Sequence, residues 1–159
     1  MIYAHYGDTE YRPELFQPIQ NREMVVKPHG GLWASIVGAE YSWKEWCEDN
    51  SFHTEELEKC FLFELEEAAN ILTIRSTQQL DGLPKAEQLF DPRMAELTGW
   101  VFLDFEKLAR DGVDAITVDI SGDGSRYRVS EGLYWKLYGW DCDSTIILNK
   151  EVIRPCMSG

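Results

Sequence analysis

Cations are scarce in this 159-residue chain: Lys and Arg number 15 against 28 Asp and Glu, for a net charge of −13. Capture of a phosphate backbone requires Lys and Arg to displace condensed counterions, and the longest basic cluster is Arg126-Tyr127-Arg128, so direct nucleic-acid binding is not expected. Long apolar runs are missing as well. None approaches the ~20 residues that cross a bilayer, and Met1-Ile2-Tyr3-Ala4-His5-Tyr6 has neither the basic n-region nor the apolar stretch of a secretory leader. No membrane association is expected. The four cysteines, Cys47, Cys60, Cys142 and Cys156, include no CxxC pair, which argues against a zinc site built with His53 and predicts reduced thiols in a cytoplasmic protein. GxSxG, P-loop and HExxH signatures are absent. Asp119-x-Ser121-x-Asp123-Gly124 starts like a calcium loop but places Ser130 where a bidentate Glu is needed, so it reads as a hairpin turn.

What is present is apolar and aromatic material, 44% and 13% of the chain, enough for one folded domain with its own core. Residues 1–156 read as that domain, with 157–159 as a loose tail. Strands are expected over residues 2–6, 32–37, 60–65, 70–74, 114–120 and 144–148, where β-branched and aromatic residues run between Gly, Pro and Asp punctuation. Residues 11–28, with Pro13, Pro18 and Pro28, read as loop. Ser42-x-x-Glu45 and Ser76-x-x-Gln79 are capping-box patterns that open short helices, the first running to about Asp49. Residues 66–69 read as the connection of a strand pair. Residues 93–103 fit either a helix or a strand. Asp104 and Gly112 bracket a further helix. Residues 126–129 would return as the hairpin partner of the 114–120 strand, and Ser130 would cap a helix through Tyr138. Short strands with intervening short helices predict an α+β domain on a bent, mostly antiparallel sheet.

Three features point to chemistry. In Lys27-Pro28-His29-Gly30-Gly31-Leu32-Trp33-Ala34-Ser35, adjacent glycines precede a strand that presents Trp33 and Ser35 on one face. Taken alone this is a turn and a core tryptophan; the other reading is a flat platform with a hydroxyl beside it, suited to a planar ring such as nicotinamide. In Tyr138-Gly139-Trp140-Asp141-Cys142-Asp143-Ser144, two carboxylates flank a thiol just before a strand. Paired carboxylates raise one another's pKa and often mark active sites; the plainer reading is a solvated loop. His5 sits on the first strand, followed by Tyr6 and Gly7, where a lone histidine is commonly structural.

Together these segments resemble the ADP-ribosyltransferase fold in its branch with a histidine on the first strand. Tyr3-Ala4-His5-Tyr6-Gly7 is similar to that strand, and Gly31-Leu32-Trp33-Ala34-Ser35 to the glycine-aromatic strand. The Trp43 helix, the two strands over 60–74 and Asp143-Ser144-Thr145-Ile146-Ile147-Leu148-Asn149 follow in the family's order. The family's last acid is usually Glu and here is Asp143; its stacking tyrosine would be Trp33 or Tyr41. The resemblance, which extends to small bacterial and phage-encoded members including the anti-CRISPR kind, implies NAD as co-substrate. It implies that His5 bonds the adenosine ribose, that backbone groups near Gly31 bind the nicotinamide amide, and that Trp33, Ser35 and Trp43 border the ring. Asp143 would stabilise the charge that develops as nicotinamide leaves, so His5, Trp33 and Asp143 should share one cleft. The alternative is a non-enzymatic acidic protein of phage or mobile-element origin that covers a basic site on a defence protein. Either way, a protein partner with a basic patch fits the charge.

Overall fold

A computed structural model describes residues 1–86, 91–123 and 132–157. It is an α+β domain on a mostly antiparallel sheet. Strands β1 (Tyr3–Tyr6), β4 (Leu32–Ile36), β5 (Cys60–Leu65), β6 (Ile71–Ile74), β7 (Ala115–Val118), β8 (Ser144–Ile147) and β9 (Ile153–Pro155) form a seven-stranded sheet in the order β6-β7-β8-β4-β1-β5-β9, and β2 (Gln20–Arg22) and β3 (Val25–His29) form a separate hairpin. Within the large sheet the β6–β7 pair is parallel. The helices are short: α1 (Trp43–Asn50), α2 (Gln78–Asp81), α3 (Pro92–Thr98), α4 (Phe105–Arg110), α5 (Ile120–Asp123) and α6 (Leu133–Lys136). Among the described residues no helix is long and apolar enough to cross a membrane.

Local chemistry explains most of these boundaries. The Ser42–Glu45 capping box forms, with the Ser42 N–H donating to Glu45 Oε2 at 2.9 Å. Asp104 Oδ1 accepts from the Lys107 N–H at 3.0 Å and so caps α4. Gly112, at φ +96°, takes the left-handed position beyond that helix. In the ambiguous stretch the helix wins over residues 92–98, because Asp91 accepts from the Arg93 N–H at 2.9 Å, Pro92 stands in the first turn and Gly99 ends it at φ +76°.

Several expectations need correction. The 11–28 loop contains a 3-10 turn (Pro13–Leu15) and the β2–β3 hairpin; its prolines obscured strands that belong to no large sheet. The strands over 60–74 do not pair. Asn70 donates its N–H to Asp114 Oδ2 (2.8 Å) and its Nδ2 to the Gly112 carbonyl (3.0 Å), which carries β6 to the far edge beside β7. Residues 120–123 form a helical turn rather than a hairpin bend, with Asp119 Oδ1 accepting from the Gly122 N–H at 2.7 Å; residues 126–129 and Ser130 lie outside the described residues. Helix α6 starts after Gly132. Strand β9, paired with β5, has no counterpart in the sequence reading, because three residues ending in a proline are too short to carry a strand signal of their own.

The apolar core lies on both faces of the sheet. One side holds Ile116, Ile146, Phe105, Leu133, Leu137 and Trp140 beneath α4, α6 and the hairpin; the other holds Tyr3, Phe61, Phe63, Ile147 and Ile153. The hairpin meets β4 at the double glycine. Gly30 has φ +82°, and a Cβ there would stand 2.2 Å from the Pro18 carbonyl oxygen. That oxygen is backbone, so Gly30→Ala has no flexible group to displace and should cost about 3 kcal/mol, measurable by chemical denaturation.

Candidate functional site

The sheet parts between β1 and β4, and a cleft opens there. These strands pair only at Tyr3↔Ile36 and Ala4↔Ser35, while β4 continues against β8 through Leu32, Trp33 and Ala34. Where β1 leaves, the imidazole of His5 takes over: its Nδ1 lies 2.6 Å from the Trp33 carbonyl oxygen. A carbonyl can only accept, so Nδ1 carries the proton, and in the neutral ring Nε2 is left as an acceptor. His5 therefore closes the split with one nitrogen and can offer the other to a ligand.

The cleft has a volume of about 270 Å³ and brings the rings of Tyr6, Trp33, Trp43 and Trp140 together with polar groups such as His5, Lys27, Ser35 and Asp141, apolar walls with convergent polar groups being the usual make-up of a small-molecule site. Trp33 and Ser35 face it from β4, Tyr6 from β1 and Trp43 from α1, and Trp140 and Asp141 come from the loop before β8. Trp140 is buried, meets Trp33 edge-on at 4.8 Å, and has an indole N–H with no partner among the described residues. Trp43 stacks on Trp46 at 5.1 Å, and Phe52 closes that group edge-on. His53, held at φ +46°, lies against Phe52 and lines the rim with Glu56.

His5, Trp33, Ser35 and Trp43, all expected at a site from the sequence, thus meet in one cleft. Their local duties differ from expectation in detail. The Ser35 hydroxyl oxygen accepts the Trp43 N–H at 3.1 Å, tying α1 to β4. One face of Trp33 already carries a cation, the Lys27 ammonium at 4.5 Å. Gly31 does not reach the cleft: it lines two other hollows, and its N–H is spent on the Gln17 carbonyl at 2.8 Å.

Asp143 is not in the cleft either. It lines a separate hollow of about 480 Å³ with Ile36, Thr117 and Thr145. Ile36 points to the face opposite Trp33 and Ser35, since side chains alternate along a strand. Asp143 is buried and committed: Oδ1 accepts the Ser121 N–H (2.8 Å), and Oδ2 accepts the Ser121 hydroxyl (2.7 Å) and the Tyr41 N–H (3.1 Å). Of the two aspartates it is Asp141 that lines the cleft, where Glu56 is a second carboxylate. Burial raises the pKa of Asp141 above the ordinary aspartate value, and the charge of Lys27 pulls it back. Between them stands Cys142, whose thiol burial pushes up to about 12, so it is no thiolate nucleophile at neutral pH. Among the described residues no cluster of three or more His, Cys, Asp or Glu side chains could hold a metal ion.

The sequence reading passed over Lys27 and Trp140 as site residues. Both stand inside the segments it singled out, yet the chemistry of each shows only when hairpin, β4 and the pre-β8 loop are brought together. No protein-family model, no curated protein and no solved structure matches the chain.

Proposed function

We propose that the cleft binds NAD and that the protein transfers the ADP-ribosyl group to a macromolecular acceptor. The observation that carries this reading is the convergence of His5, Trp33, Ser35 and Trp43, drawn from three separate stretches of sequence, on one aromatic cleft at a split in the sheet. The donor set suits such a ligand. His5 Nε2 would accept a ribose hydroxyl, since its other nitrogen is fixed on the Trp33 carbonyl. Trp43 and Trp33 supply aromatic walls. NAD would supply the ADP-ribosyl group and nicotinamide as leaving group. Asp141, in place of Asp143, would face the positive charge that develops at the sugar carbon as that bond breaks, a half-buried carboxylate being stronger there than one in water. The net charge of −13 suits an acceptor protein with a basic patch.

NAD should raise the melting temperature of the protein, since a ligand that binds the folded state stabilises it by mass action. His5→Ala should weaken that binding by about tenfold, the worth of a single well-placed hydrogen bond. No shift at millimolar NAD with a folded sample would remove the NAD reading and leave the acidic surface as a binding device without chemistry.

A further inference from the structure

In a chain this short of cations, Lys27 and Arg22 line one hollow, and neither makes an ion pair among the described residues, although the charge of Asp141 acts on Lys27. Lys27 is half-buried in the middle of β3. Its ammonium rests 4.5 Å over the Trp33 ring, and its stem lies against Gly139, where an added Cβ would meet Lys27 Cδ at 3.0 Å. The side chain is thus held in place by an aromatic face and by packing. Among the described residues the ammonium makes no hydrogen bond and no ion pair, although it has three protons to donate. Burial lowers its pKa, Asp141 and Cys142 act to raise it, and the nearby charge of Arg22 lowers it further.

Lys27 also lines a second hollow of about 380 Å³ next to the cleft, together with Arg22 and His29 of the same hairpin. Among the described residues no Asp or Glu lines that hollow. Arg22, like Lys27, has no ion pair among the described residues. The hairpin that carries both is a firm mount, because Asn21 donates Nδ2 to Asp104 Oδ1 at 2.8 Å and accepts the Phe105 N–H at 2.8 Å, fixing β2 on α4. Two cations without an ion pair among the described residues, on a fixed hairpin at the seam between the cleft and the second hollow, are placed to receive an anion.

We propose that Lys27, supported by Arg22, is the anion anchor of the cleft and takes the phosphate oxygens of a ligand whose ring lies among the cleft aromatics. The inference rests on these cations and goes beyond the NAD reading; with NAD as ligand, its diphosphate is the group held. The recognised chemistry is therefore a nucleoside diphosphate, and the anchoring half of it is the diphosphate.

The test uses inorganic pyrophosphate, adenosine and NAD as separate probes, with tryptophan fluorescence and calorimetry as readouts, on the full chain and on Lys27→Met, Lys27→Arg and Arg22→Gln. Pyrophosphate should bind the parent and perturb tryptophan emission. Lys27→Met, which keeps the stem and removes the charge, should weaken pyrophosphate by at least about tenfold, Arg22→Gln by less, and Lys27→Arg little. Adenosine should bind all four proteins alike. Equal pyrophosphate affinity in the parent and Lys27→Met, or none in a folded parent, overturns the anchor. If Lys27→Met fails to fold, the contrast between Lys27→Arg and Arg22→Gln decides the same point. NAD binding that is indifferent to Lys27 refutes the anchor and keeps the NAD reading; pyrophosphate binding through Lys27 without NAD binding keeps the anchor and refutes that reading.

Discussion

An Asp141→Asn variant is expected to lose ADP-ribosyl transfer from NAD by about 100-fold or more, while melting no lower than the parent. The two halves of this result have one cause. Burial raises the pKa of Asp141, so folding favours its protonated form. Such a group stabilises the fold at low pH, and that contribution is lost as pH rises through the raised pKa. Above that pKa the carboxylate therefore carries a cost to stability that the neutral amide does not. A carboxyl group whose charged form is disfavoured by burial fits a role in chemistry rather than in packing. Nicotinamide release and a thermal melt on the same preparation check both halves. A variant that melts lower and retains its transfer rate would return Asp141 to a structural role.

Asp143→Ala should behave in the opposite way, lowering stability by about 3 kcal/mol in chemical denaturation. Its carboxylate accepts the Tyr41 N–H, the Ser121 N–H and the Ser121 hydroxyl, and its own N–H donates to the Tyr41 carbonyl at 2.8 Å. Removing the side chain strands backbone donors in a buried setting, and each stranded group costs about 1–3 kcal/mol. Asp143→Asn keeps one accepting oxygen and should lose less. These bonds tie the segment before α1, the start of α5 and the entry to β8 together. Loss of activity in Asp143→Ala should therefore follow loss of fold, and should disappear at a temperature where the variant remains folded. A folded Asp143→Ala without transfer activity would restore Asp143 as the acid of the reaction.

The pair of aspartates shows where sequence reasoning reached and where it stopped. Asp141-Cys142-Asp143 was legible as a place where paired carboxylates could mark a site, with a solvated loop as the plainer reading. Which acid faces the cleft was not legible. It depends on Tyr41 and Ser121, residues 102 and 22 positions away, whose N–H groups claim Asp143. The same limit applies to the strands over 60–74: each strand was readable from its own residues, but their separation to distant parts of the sheet is fixed by Asn70 and Asp114, 44 positions apart. Capping chemistry is local and could be read, as Ser42–Glu45 and Asp104–Lys107 illustrate. Lys27 lay in the glycine-rich segment that attracted notice, but it fell at the end of a stretch read as loop, where a lysine reads as solvated. Its position over Trp33 comes from the meeting of β3 with β4, and no periodicity records that.

The central claim is that NAD occupies the cleft at the β1–β4 split. The tryptophans provide a built-in map of it. Trp33, Trp43 and Trp140 line the cleft, whereas Trp100 stacks on Tyr138 and Trp135 meets that ring edge-on in a separate group. Indole N–H resonances followed by nitrogen-proton correlation spectroscopy during an NAD titration should shift for Trp33, Trp43 and Trp140 and stay fixed for Trp100 and Trp135. No indole shift at saturating NAD, or shifts confined to Trp100 and Trp135, would contradict the account.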